Sequence, residues 1–156
     1  MFKVQSQIQA TVCKLTISGV IDETFTLARP TEPQVKEVHV YCKEVVRINS
    51  VGVKAWMKFF QSLQAMNLKV IYREVSPVLV EQFNMIANFS MGGTLESMMV
   101  PFCCESCKAG LVGAFTAEKL RQIPAPFPST KCPKCGGVAR FDDFEEEYFS
   151  CLKRSA

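Results

Sequence analysis

The sequence predicts an α/β protein: a mixed sheet with helices packed on one or both faces over residues 1–100, then a small cysteine-rich module over residues 101–156. Three observations carry this. Along the first part of the chain, stretches with a period of two are interleaved with stretches of helical period, the pattern of strands and helices that share one core. Six of the eight cysteines lie beyond residue 100, which sets the last third apart. Finally, 156 residues at 48% hydrophobic and 21% charged can bury a core for one domain plus an appended module, and this composition excludes a disordered or collagen-like chain.

The elements follow in order. Phe2 to Gln9 and Val12 to Ser18 read as short strands. In the second, Cys13, Leu15 and Ile17 interleave with Lys14, Thr16 and Ser18, so one face is apolar and the other polar. Gly19 and Asp22-Glu23 close that strand and open a loop. Val38-His39-Val40-Tyr41-Cys42 is rich in β-branched and aromatic residues and predicts a third strand. After Asn49-Ser50-Val51-Gly52, the residues Val53, Trp56, Met57, Phe60 and Leu63 recur at i, i+3, i+4, i+7 and i+10, one face of a helix of roughly four turns. Lys69 to Tyr72 predicts a buried strand. Ser76-Pro77 supplies an N-cap and a first-turn proline for a second helix, with Val80, Phe83, Ile86 and Ala87 on its apolar side. Gly92-Gly93 stops it, and Leu95 to Phe102 is expected as the last strand of the order β-β-β-α-β-α-β.

The tail is built differently. Cys104-Glu-Ser-Cys107 and Cys132-Pro-Lys-Cys135 are two C-x-x-C units separated by 24 residues, with the proline run Pro124 to Pro128 between them. A two-residue gap lets both sulfurs of one turn reach the same ion, and Gly110 and Gly136-Gly137 are expected to permit the bend. Four thiolates favour Zn²⁺ in the closed tetrahedral site of a C-terminal zinc ribbon, structural rather than catalytic because no position is left for water. Cys103 is one residue too far from Cys107 for the same turn. Cys13, Cys42 and Cys151 are expected as half-buried bystanders.

Residues 14–90 resemble the STAS domain of sulfate transporters and anti-sigma-factor antagonists. The resemblance rests on Leu15-Thr-Ile-Ser-Gly-Val-Ile-Asp22 and on Ile48-Asn-Ser-Val-Gly52. It implies a sheet covered by helices mainly on one face, and a regulatory loop comprising Asp22, Asn49, Ser50, Val51 and Gly52. It also implies a bacterial signalling role, with a serine-kinase anti-sigma factor or another signalling protein as partner. In such regulators a Ser or Thr beside the glycine is phosphorylated, and a phosphate at a helix N-terminus changes the docking surface. Here Val51 stands before the glycine and has no hydroxyl, Asn49 stands where the family has Asp, and Ser50 reads as the helix N-cap bonding the Val53 amide. Docking without the usual phospho-switch is the expectation.

The charge supports a protein partner. Eighteen basic and 15 acidic residues give +3, spread as +2 before residue 100 and +1 after it, whereas nucleic-acid binders are more lopsided. The alternative is a nucleic-acid adaptor in which Lys131, Lys134, Arg140, Lys153 and Arg154 of the ribbon meet phosphates. His39, the single histidine, is expected to pack inside its strand, and Trp56 in the core. Asp142 to Glu147 reads as a solvated face leading into a short helix with Phe144, Tyr148 and Leu152 on one side. No P-loop, no G-x-G-x-x-G and no assembled triad is present, so a non-enzymatic protein is expected. The first residues lack a secretory pattern, and the longest charge-free stretch, Gln82 to Leu95, is too short to span a bilayer, which points to the cytoplasm.

Overall fold

The computed structural model describes residues 2–154, with the side chain of Arg154 outside the described part. The chain is a mixed α/β fold with two sheets. The first has the order β1-β2-β3-β4-β5: β1 (Phe2–Gln9), β2 (Val12–Ile21), β3 (Glu37–Ile48), β4 (Lys69–Arg73) and β5 (Thr94–Leu95). β1 and β2 form an antiparallel hairpin turned at Ala10 and Thr11, with Ala10 at φ 55°; β2 through β5 run parallel. α1 (Ser50–Ala65) connects β3 to β4, and α2 (Pro77–Met85) lies between β4 and β5. Parallel neighbours need a long crossover, usually helical. Between β2 and β3 it is the irregular segment 22–36, anchored by buried Phe25 and Val35.

The period-two reading of β2 and β3 is visible as burial. Cys13, Leu15, Ile17, Val38, Val40 and Cys42 are buried, while Lys14 and Lys43 are exposed and Thr16, His39 and Tyr41 half-buried. Register shifts break the β2–β3 ladder on either side of Ser18-Gly19, where Gly19 takes φ 92°, a conformation that suits a residue without Cβ. His39 faces the half-open side and bonds Glu37 at 3.1 Å instead of packing in the core. The apolar side of the sheet carries both helices. The ring of Tyr72 in β4 meets Phe60 of α1 at 5.3 Å and Phe83 of α2 at 5.1 Å, so the two helices share one face. Trp56 is fully buried among Phe25, Phe60, Tyr72 and Phe89, and burial on this scale is worth about 2–3 kcal/mol per large side chain.

The expected last strand divides. Thr94-Leu95 closes the first sheet, whereas β6 (Ser97–Cys104) runs through Pro101 into a second, antiparallel sheet. Its order is β7-β6-β9-β8, with β7 (Gly110–Thr116), β8 (Thr130–Lys131) and β9 (Val138–Phe141). α3 (Ala117–Gln122) follows β7, and α4 (Glu145–Tyr148) and α5 (Ser150–Arg154) end the chain. The proline run contributes to this unit's core: Phe127 lies within 6.0 Å of the rings of Phe102, Phe115, Phe141 and Phe149. The tail thus has an aromatic core besides its cysteines. The two sheets also share one continuous apolar cluster. Asn84 of α2 fastens them: its Nδ2 donates to the Tyr148 carbonyl at 3.0 Å, and its Oδ1 accepts from Ser150 Oγ at 3.0 Å and the Cys151 amide at 2.9 Å. Among the described residues no helix is long and apolar enough to cross a membrane.

Candidate metal centre

The two C-x-x-C units fold into equivalent turns. In the first, between β6 and β7, the Lys108 amide donates to the Cys104 carbonyl at 3.0 Å and the Cys104 amide to the Ala109 carbonyl at 3.0 Å. In the second, between β8 and β9, the Gly136 amide donates to Cys132 at 2.9 Å and the Cys132 amide to Gly137 at 2.8 Å. The residue after the second cysteine is left-handed in both, Lys108 at φ 64° and Gly136 at φ 77°. Lys108, not Gly110, therefore absorbs the bend of the first turn, and Gly110 opens β7. The turns close against each other at Gly137, where a Cβ would lie 2.7 Å from Ser106 Oγ.

This pairing brings four sulfurs together. The Sγ atoms of Cys104, Cys107, Cys132 and Cys135 all lie within 4.8 Å of one another, with Cys104–Cys135 at 3.4 Å and Cys107–Cys132 at 3.8 Å. Sulfurs about 2.3 Å from a tetrahedral ion are spaced about 3.8 Å apart, so the cluster has the dimensions to hold a metal ion. Cys104 and Cys132 are buried and Cys107 and Cys135 exposed, which places the centre at the surface with one edge against the core. Backbone amides point at the sulfurs: Cys107 N–H at Cys104 Sγ, 3.5 Å, and Gly137 N–H at Cys135 Sγ, 3.4 Å.

The electrostatics follow from that geometry. The Cys104 thiol is lowered to about 6, first by the Cys107 amide; burial opposes this, and the Ser106 amide and the Cys135 and Cys107 thiols assist it. Cys107 is raised to about 11: the Ala109 amide pulls it down, but desolvation and the Cys104, Cys135 and Cys132 sulfurs outweigh that pull. One thiolate forms readily and the next resists, the arrangement that a dication relieves. Cys103 stands outside the cluster, with its Sγ 3.8 Å from the Cys104 carbonyl and 3.9 Å from that of Lys108. Cys13, Cys42 and Cys151 are buried rather than half-buried.

The loop positions converge at the C-terminal ends of β2 and β3. Asn49 is the N-cap of α1: its Oδ1 accepts from Gly52 N at 2.7 Å, and its Nδ2 donates to Glu23 Oε2 at 3.4 Å. Ser50, expected as the cap, is instead the first helical residue and is exposed; the Val53 amide bonds the Asn49 carbonyl at 2.9 Å. The Asn49 amide reaches the Ile21 carbonyl at 3.1 Å, which ties this junction to the loop after β2. There Asp22 accepts from both the hydroxyl and the amide of Thr24, and these bonds, the hydroxyl first, hold its carboxyl below the usual range. Val51 is half exposed on the surface so formed.

The bonding roles of Asn84 and Tyr148 escaped the sequence reading, which placed Tyr148 only on one side of a short helix. Nothing in the sequence sets Asn84 apart from Gln82, the other amide of α2; the hydroxyl of Tyr148 donates to the Met99 carbonyl at 2.5 Å and draws its ring inward. Compared with family models and with curated proteins, the chain matches none.

Proposed function

We propose that the chain is a non-enzymatic regulatory protein that docks a signalling partner, of the serine-kinase anti-sigma type, through the N-terminal end of α1, while a structural zinc ion fastens its last four strands. The observation that carries the docking is the convergence of the Asp22–Thr24 turn on the Asn49–Gly52 junction, with Ser50 and Val51 presented outward. Helices confined to one face of the first sheet support the STAS-like reading. Zinc is favoured over other ions because four thiolates without a fixed open position suit its tetrahedral preference. The hydroxyl is absent at Val51, so docking is constitutive; stoichiometric phosphate on Ser50 after incubation with a partner kinase would contradict this.

The test is affinity capture by wild type, Val51→Asp and Cys132→Ser, scored by mass spectrometry. A partner lost with Val51→Asp and kept with Cys132→Ser supports docking at α1. An unchanged partner set overturns it. Of the cations available for phosphate contact in the nucleic-acid reading, Arg140 is paired with Glu105 and the Arg154 side chain lies outside the described residues. Steeply salt-dependent DNA or RNA binding would nevertheless favour that alternative.

A further inference from the structure

Between α2 and α4 lies an open groove of about 880 Å³. Val78 and Met85 give it an apolar wall, and Met85 is 68% exposed, far more than an unbranched apolar side chain at the end of a packed helix requires. Four carboxylates surround that wall: Glu81 from α2, and Asp143, Glu146 and Glu147 from the other side. Among the described residues lining the groove there is no Lys, Arg or His, although the chain as a whole carries +3.

Acids in the first turn of α4 are favoured by the helix dipole and would need no further account if they faced only water. That explanation does not reach Glu81, which sits on a different helix, nor the exposed thioether between the two sets of acids. The walls are also fixed in place. Asn84, in the groove's floor, spends both ends of its amide on Tyr148, Ser150 and Cys151, so the groove exists before anything enters it.

The geometry points to a docking site for a basic amphipathic helix of a partner protein. Its apolar side chains would lie on Val78 and Met85, and its Lys and Arg side chains would reach the four carboxylates. Charge complementarity selects this occupant: an apolar strip flanked only by negative charge repels acidic segments and attracts cationic ones. α2 spans nine residues, about 13 Å, which matches two to three turns of a partner helix. Methionine adapts to varied apolar side chains, as helix-binding grooves demand. This surface is separate from the N-terminal end of α1, so it stands or falls independently of the docking reading above.

The experiment uses the full chain with its metal and a fluorescent peptide of about 14 residues, long enough to match α2 with a turn to spare. Leu is placed at i, i+3, i+4 and i+7 and Lys elsewhere. One control peptide has the same composition in shuffled order, and a second has Glu for every Lys. Anisotropy is expected to show binding of the patterned peptide alone, weakened by raising salt toward 1 M, where the screening length is about 3 Å. Met85→Ser, and separately Glu146→Lys with Glu147→Lys, should weaken it roughly tenfold or more, while Glu32→Lys, outside the groove, leaves it unchanged. Unchanged circular dichroism and metal content show that the variants fold. Equal binding of the shuffled or acidic peptide overturns the proposal, as does wild-type affinity in the groove variants. A wild-type dimer that Met85→Ser dissolves overturns it too, because the occupant would then be a second copy.

Discussion

The α-carbon of Gly52 faces the carbonyl of Ile21 so closely that a Cβ on it would stand 2.2 Å from the oxygen and 2.7 Å from the carbon. Both atoms are backbone, at the end of β2, and cannot swing aside as a side-chain tip can. Gly52→Ala is therefore expected to cost about 3 kcal/mol, at the upper end for overpacking. Asn49→Ala removes the cap and the exposed bond to Glu23 and should cost about 1 kcal/mol, whereas Asn49→Asp keeps the cap acceptor but sets a second carboxylate beside Glu23 and should fall between that variant and wild type. Urea denaturation of the three variants measures the ranking; Gly52→Ala at wild-type stability would show that the strand end can yield.

Metal content separates the five cysteines around the ribbon. Ser substitution at Cys104, Cys107, Cys132 or Cys135 is expected to abolish stoichiometric metal, whereas Cys103→Ser keeps one ion per chain. Elemental analysis after desalting reads this directly. Chelation should accelerate amide exchange at Cys107 and Gly137, whose N–H groups bond ligand sulfurs, without changing exchange in α1.

Cys42 gives the fold an alkaline limit. Burial, reinforced weakly by Glu74 and opposed by the Ser76 amide, pushes its thiol from 9.0 to about 12. The unfolded chain loses this proton first, so the contribution is fully present below pH 9 and is lost as pH rises toward 12. Burial also raises Tyr72 and Tyr148, which steepens the fall at the upper end. Urea midpoints measured across this range should decline, and less steeply for Cys42→Ala than for wild type. An identical slope in both proteins would remove Cys42 from the cause.

Asn84→Ala deletes three hydrogen bonds between α2 and the α4–α5 segment. The expected cost is about 2–3 kcal/mol, since part-buried backbone groups lose their amide partner. Asn84→Asp keeps the acceptor but not the donor and should fall between. Metal content is expected to be unaffected, because the cysteine turns lie elsewhere.

How far these features could be read in advance depends on the physics that produces each. Alternation in β2 and the helical period from Val53 to Leu63 follow from burial of one face, which a single sequence displays. The cysteine quartet is legible because two ligands two residues apart is a geometric requirement of one ion. Leu95 to Phe102 was correctly extended but split between two sheets, since periodicity reports which residues face inward and not which strand accepts the ladder. Asn49 and Ser50 are equally good caps by type; the short approach of the Gly52 amide to Asn49 decided between them. Lys108 holds a conformation suited to glycine, which no propensity would assign. Asp142 to Glu147 read as a solvated face, and Asp142, Asp143, Glu146 and Glu147 are indeed exposed, three of them along the groove beside α2.

β6 is the strand along which the chain passes from the first sheet to the second. At its start Val75, just past β4, bonds Ser97 and Met99 through its own amide and carbonyl at 3.1 and 2.8 Å. At its far end stands Cys104. One unbroken strand of eight residues, about 26 Å, therefore joins the first sheet to the cysteine cluster. Such a rod transmits force along its length. Tension applied at the sulfur turns would load the β4 terminus beneath α2 before any linker could extend, so the sheets should yield together under pulling rather than one after the other.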